Sequence, residues 1–178
     1  MHFTETTLAG SYLIELQLLT DSRGHFARSW CHEEFEAQGL ENSFVQCNIS
    51  YNKKKGTLRG LHYQEFPYEE TKLVRCTKGS IYDVIVDIRP NSPTYKKWFG
   101  IELSEINYKM LYIPKGFAHG FQTLSDDTEV FYQMGQVYNE EYARGIKWDD
   151  PDFNIVWPKE ENDRIISEKD LNYDRYKQ

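Results

Sequence analysis

Nine short β-like runs with turn signals between them constrain this chain more than any other feature of its sequence. They cover 11–19, 43–50, 57–64, 71–76, 80–88, 97–103, 109–113, 117–124 and 128–135. Runs of that length and spacing read as strands of a sandwich, jelly roll or barrel. Composition agrees: aromatic residues make up 15% of the 178, with 13 Tyr and 10 Phe, and Ala-rich helical stretches are missing. That length suits one domain with a sizeable core, so a single domain over 1–178 is expected. No internal repeat, low-complexity segment or Pro/Gly/Ser linker divides it.

Within 80–88 the residues Tyr82, Val84, Val86 and Ile88 alternate with Ile81, Asp83, Ile85 and Asp87. One face of that strand is therefore apolar and the other mixed. Lys78-Gly79 and Pro90-Asn91-Ser92-Pro93 bracket it as turns. Helical signals are few. Cys31 to Gln38 reads as a short helix ending at Gly39, and Ser167 as the N-cap of another, with Asp170 three residues on. The polar stretch after Trp148-Asp149-Asp150-Pro151 reads as a C-terminal arm over the β core.

A net charge of −7 and a pI near 5.3 argue against a phosphate-backbone binder, so no nucleic-acid partner is expected. A small anionic ligand stays possible, because a pocket can be locally basic in an acidic protein. Cys31, Cys47 and Cys76 are odd in number and lack metal-ligand spacing, which points to a reducing compartment. The run Tyr12–Leu19 is too short and too interrupted to span a bilayer. The sequence thus predicts a soluble, cytoplasmic protein without a membrane partner.

Two histidines stand out. His62 lies in Arg59-Gly60-Leu61-His62-Tyr63-Gln64, and His119 in Pro114-Lys115-Gly116-Phe117-Ala118-His119-Gly120-Phe121. Leu58, Gly60, His62 and Gln64 share a face if their strand is regular; so do Lys72, Val74 and Cys76, and likewise Val130, Tyr132 and Met134. Polar groups on a Val, Met and Leu face are the kind that line a ligand cavity. Arg59 falls on the opposite parity to His62, so a bulge or strand end is needed to bring both to one ligand. Each residue has a bland reading: a core histidine with a backbone partner, a core tyrosine, a snorkelling Lys72, a helix-capping Asp170. The crowding of Arg59, Gln64 and Lys72 around His62 weighs against it there. Asp83 could be an outward strand charge or could support a buried imidazole.

Pro114-x-Gly116-x-x-His119 resembles the second metal-binding motif of cupins, but the place of their His-x-His pair reads His62-Tyr63-Gln64. Two histidines without an assured carboxylate fall short of the ligand sets that Fe(II), Mn(II) or Zn(II) prefer, so no metal is expected. The imidazoles are left for acid–base work. A neutral His can deprotonate a carbon beside a carbonyl if the enolate oxygen meets a cation or donor. Tyr132 could return the proton to the opposite face, and Asp170 could fix the tautomer of the base. Arg59 or Arg23 could hold phosphate.

In order and spacing, several segments resemble the dTDP-4-dehydrorhamnose 3,5-epimerase family, from about Ala9 to Tyr173. They are Asp21–Phe26, Gln46-Cys47-Asn48, Leu58–Gln64, Lys72–Arg75, Asp83–Arg89, Ile113–Phe121, Gly145–Pro151 and Ser167–Asp170. The resemblance implies a mostly β, cupin-like double-stranded β-helix (jelly roll) with short peripheral helices. It also implies no cofactor, a nucleotide-diphosphate sugar as substrate, and a homodimer with exchanged N-terminal strands. His62 would be the base, Asp170 its partner and Tyr132 the acid on the far face. Lys72 and His119 would steady the enolate. Arg23, Phe26, Gln46, Asn48 and Arg59 would bind sugar and diphosphate, with Lys169 in the same substrate-binding set and Tyr138 stacking near the base.

The implied reaction is epimerisation of a nucleotide-linked 4-keto-6-deoxyhexose at C3 and/or C5, in deoxysugar and surface-polysaccharide biosynthesis. A 3,4-ketoisomerase or a mono-epimerase on another nucleotide-linked keto sugar is the alternative; a metal-dependent cupin oxygenase and a non-catalytic sugar-nucleotide binder are more distant ones. Three positions depart from the family pattern. Arg28 and Ala143 stand where the family usually carries glutamates, and Cys47 stands where Asp is common.

Overall fold

The computed structural model describes residues 1–158 and 164–177; residues 159–163 of the C-terminal arm and Gln178 lie outside the described residues. Two sheets face each other as a jelly roll of cupin type. The first runs β1(His2–Glu5), β2(Tyr12–Glu15), β10(Met110–Ile113), β7(Lys72–Lys78), β12(Thr128–Met134), β5(Gln46–Asn52). The second runs β13(Ala143–Gly145), β6(Thr57–Gln64), β11(Phe117–Thr123), β8(Ser80–Asp87), β9(Trp98–Ser104), with β14(Ile165–Ile166) pairing parallel to β6. A separate hairpin, β3(Leu19–Asp21) and β4(Gly24–Phe26), stands apart from both sheets. The helices are α1(His32–Ala37) and α2(Glu168–Leu171).

Apolar alternation decides which faces close. Val74 and Cys76 from β7, Val130 from β12 and Ile81, Ile85, Phe117 and Phe121 from the opposing sheet fill the space between the sheets. The other parity of β8 (Val84 and Val86) packs outward with Leu58, Leu61 and Ile146 beneath the arm, which contributes Phe153 and Trp157. The mixed face of β8 therefore points inward and carries Asp83 and Asp87 with it. Asp87 closes the following turn, accepting from the Arg89 guanidinium at 2.9 Å and the Thr94 hydroxyl at 2.6 Å. Phe35 of α1 covers Ile14, Leu73, Met110 and Tyr112 on the outside of the first sheet.

Three expectations needed adjustment. The run 11–19 is not one strand: β2 ends at Glu15 and the chain restarts at Leu19 in the hairpin, because Leu18 and Leu19 leave the sheet and are exposed. β1, β13 and β14 carried no readable signal, since strands of two to four residues show too little alternation. Leu58 does not share a face with His62, for a reason that builds the site.

Candidate active site

Strand β6 changes parity halfway. Against β11, Phe121 pairs with Arg59 and His119 with His62, so three steps along β6 match two along β11. Of the two devices that parity allowed, a bulge or a strand end, the strand uses the bulge. It sends Leu58 and Leu61 to the outer cluster and brings both Arg59 and His62 to the cavity wall. Gly60 makes it possible: its φ is +127°, and a Cβ there would lie 2.5 Å from Gly120 Cα. The amide hydrogen bonds displaced by the bulge find other partners. Gly60 N–H donates to Asp170 Oδ2 at 3.1 Å, and Leu61 exchanges backbone bonds with Ile146 at 3.1 and 2.9 Å.

The cavity between the sheets measures about 500 Å³. Inward-facing Gln46, Asn48 and Ser50 of β5, Lys72 of β7, and Tyr132 and Met134 of β12 form one wall. His62 and His119 come from the other, and α2 adds Lys169 and Asp170 at the rim. Tyr138 also lines it. Of the catalytic and substrate-binding residues that the resemblance implies, Arg23 and Phe26 alone do not line this cavity within one chain. They ride on the exposed β3–β4 hairpin, where Arg23 pairs with Asp21 at 2.6 Å.

His62 Nε2 lies 2.8 Å from Asp170 Oδ1. Ser167 caps α2 by accepting from Asp170 N–H at 3.1 Å, which fixes the carboxylate's origin. Burial works to raise the Asp170 carboxyl, but the hydrogen bond and charge of His62, helped by Gly60 and Ser167, hold it below the usual carboxylate value. An ionised carboxylate accepts only, so Nε2 carries the proton and Nδ1 is left as the basic nitrogen. Tyr173, seated against Gly145, meets the His62 ring edge-on at 5.8 Å. Tyr132 has its phenol raised, by burial first and by the charge of Glu70, against the opposing charge of Arg59. It is therefore kept as a proton donor. Lys169 is raised by the charge of Tyr173, with that of Tyr138 adding to it.

His119 Nε2 meets Asp83 Oδ1 at 2.7 Å, so Asp83 does support a buried imidazole. Asp83 Oδ2 is buried without a hydrogen-bond partner. Gln64 belongs to the wall but serves the next loop, donating to the Tyr68 carbonyl at 2.9 Å and accepting from Asn139 N–H at 2.6 Å. Arg59 Nε donates to Asn52 Oδ1 at 2.7 Å.

The departures fall in unlike places. Ala143 lines the cavity. Arg28 pairs with Glu34 of α1 at 2.9 Å, and Cys47 faces outward from β5, exposed. Sequence reasoning missed Glu70, Ser50, Arg144 and Tyr173, all of which line the cavity. Glu70 and Lys72 share a parity, which was a usable signal, but Glu69-Glu70 reads as a solvated charge pair ahead of the strand. Both imidazoles have Nε2 at a carboxylate, Glu70 is paired with Lys72 at 2.8 Å, and no group of three His, Cys, Asp or Glu side chains is placed to hold a metal ion among the described residues.

The family model for dTDP-4-dehydrorhamnose 3,5-epimerase matches residues 5–178. The protein of that name from Methanothermobacter thermautotrophicus is 49% identical over 173 residues, covering 96% of this chain and 92% of its own. The crystal structure of dTDP-4-dehydrorhamnose 3,5-epimerase from Bacillus anthracis, with TDP and PPi bound, superposes with a TM-score of 0.94 at 42% identity, covering 98% of this chain and 99% of that one. The dTDP-6-deoxy-D-glucose-3,5-epimerase of Legionella pneumophila, in complex with dTDP-4-keto-L-rhamnose, gives 0.92 at 38% identity, covering 98% and 92%. Nearly the whole sequence and the fold thus agree, and the chain belongs to the dTDP-4-dehydrorhamnose 3,5-epimerase family of isomerases.

Proposed function

We propose that this chain epimerises a dTDP-linked 4-keto-6-deoxyhexose at C3 and C5, without a cofactor, in deoxysugar biosynthesis. The observation that carries this reading is the opposition of an oriented base and a protonated phenol. His62, paired with Asp170, comes from one sheet, and Tyr132 comes from the other. His62 Nδ1 takes the proton from a carbon beside the ketone, and the electron pair moves onto the C4 oxygen. Lys72 stabilises that oxygen, as does His119 in its imidazolium form, with Nε2–H on Asp83 and Nδ1–H toward the oxygen, while Tyr132 delivers a proton to the opposite face of the carbon. The carbon inverts, His62 and Tyr132 exchange protons with solvent, and no net oxidation occurs. Arg59, Lys169, Gln46 and Asn48 hold the diphosphate and sugar, and Tyr138, half-exposed at the mouth, stacks on the nucleotide base.

The whole chain acts as one domain in this reading, and as a homodimer. Arg23 and Phe26 stand exposed on a hairpin outside their own cavity, and β5 turns Ile49 and Tyr51 outward. A second copy whose N-terminal strands are exchanged would cover that apolar face and add Arg23 and Phe26 to the neighbouring site. No described helix is long and apolar enough to cross a membrane. The three free cysteines support a reducing, cytoplasmic location.

Incubation with a panel of nucleotide-linked 4-keto sugars in deuterated water tests the proposal. Deuterium should enter at C3 and C5 of the dTDP-linked sugar with the carbonyl unmoved. A carbonyl shifted to C3 would indicate a ketoisomerase, and absence of exchange in folded protein would remove the epimerase reading.

A further inference from the structure

Among the described residues, Glu70 is the one carboxylate lining the cavity that the proposed reaction leaves without a task. Its side chain is 5% exposed and that of Lys72 is 9% exposed, and they meet at 2.8 Å. The second carboxylate oxygen accepts the Gln64 backbone N–H at 3.1 Å. The Lys72 ammonium also reaches the His62 carbonyl at 3.5 Å. Both ends of this pair are thus tied to β6, beside the residue that would remove the proton.

A buried ion pair adds little net stability over an apolar pair of the same volume, and breaking it by removing one partner costs more than replacing both. Its value lies in geometry. An unpaired lysine moves through many rotamers, whereas an ammonium bound to a fixed carboxylate and a strand carbonyl is confined. The developing enolate then finds the ammonium in place, with little reorganisation at the moment of reaction. Glu70 also lies near enough to Tyr132 for its charge to add to burial in keeping that phenol protonated.

We infer that Glu70 is a positioning residue of the reaction, holding the Lys72 ammonium at the oxygen of the substrate ketone. This inference rests on the epimerase reading. It places Glu70 at the sugar end of the cavity, so its loss should act on turnover and leave nucleotide binding alone.

The test is a double-mutant cycle of Glu70→Gln, Lys72→Met and the two combined, with kcat, KM and deuterium uptake measured on the dTDP-linked 4-keto sugar and affinity measured with dTDP. Glutamine keeps an acceptor for the Gln64 amide, and the double variant leaves no unpaired charge, so at least one variant should fold. Glu70→Gln is expected to lower kcat by about 10- to 100-fold with KM and dTDP affinity within about threefold, and to add almost nothing in the Lys72→Met background. Multiplying effects, or a folded Glu70→Gln protein with unchanged kcat, would overturn the role of Glu70 while the wild type still exchanges. A wild type that exchanges no proton would instead remove the epimerase reading, and this inference with it.

Discussion

His62 and His119 face each other in register on adjacent strands, and each gives Nε2 to one aspartate, yet their surroundings differ. The His62 side chain is 42% exposed and that of His119 is 10% exposed. The partner of His62 arrives on the C-terminal arm through a capped one-turn helix, whereas that of His119 sits on the neighbouring strand of the same sheet. An imidazole that must trade protons with substrate and water needs access and a carboxylate to stabilise its charged form. One that only donates a hydrogen bond is better enclosed and rigid. In the proposed reaction the same pair of side chains thus serves two purposes, separated by the bulge at Gly60 and by which element supplies the carboxylate.

The sharpest way to break this comparison is to delete the accessible ring. His62→Ala should lower turnover by about 10³-fold or more with an unchanged far-UV spectrum, because general-base catalysis is lost outright. A variant retaining near-full turnover would remove His62 from the reaction. Tyr132→Phe comes next: product formation should fall by about 10²-fold while deuterium uptake falls less, since abstraction survives and far-face reprotonation does not. Equal losses in both would argue against separate acid and base.

The enclosed pair should show itself in stability. Asp83→Ala strands His119 Nε2 in a buried site, costing about 1–3 kcal/mol, which for a chain of this size lowers Tm by roughly 2–4 °C per kcal/mol. A Tm within experimental error of wild type would contradict that.

The smallest expected effect belongs to Asp170 and depends on pH. Its folded carboxyl titrates below the ordinary value of 3.8. The stability it contributes is therefore present above that value and lost as pH falls through the lower folded pKa. Asp170→Asn should be less stable than wild type by about 1–2 kcal/mol near neutrality. The gap should close as denaturation is followed below 3.8. A gap independent of pH would mean that the pair adds nothing through charge.

Much of this was legible beforehand. Alternation placed Lys72, Val74 and Cys76, and Val130, Tyr132 and Met134, on the inward faces they occupy. The clash of parity between Arg59 and His62 called for a bulge or a strand end, of which the structure has the bulge, and Ser167 announced the cap that holds Asp170. What stayed hidden depends on tertiary contact. Glu70 shares the parity of Lys72, but nothing else near it in the chain separates it from the solvated Glu69 or says that the pair will be buried. Nothing around Tyr173 says that the arm will lay its ring against Gly145 and His62. The hairpin carrying Arg23 and Phe26 is legible as a motif, but its purpose lies outside a single chain.

In the proposed reaction His62 moves the proton and His119 only steadies what forms. Deuterium wash-in to the dTDP-linked 4-keto sugar, compared between His62→Ala and His119→Ala, tests it most directly. Uptake should vanish in the first and persist in the second, slowed by about 10²-fold. Uptake that persists in His62→Ala and vanishes in His119→Ala would contradict it.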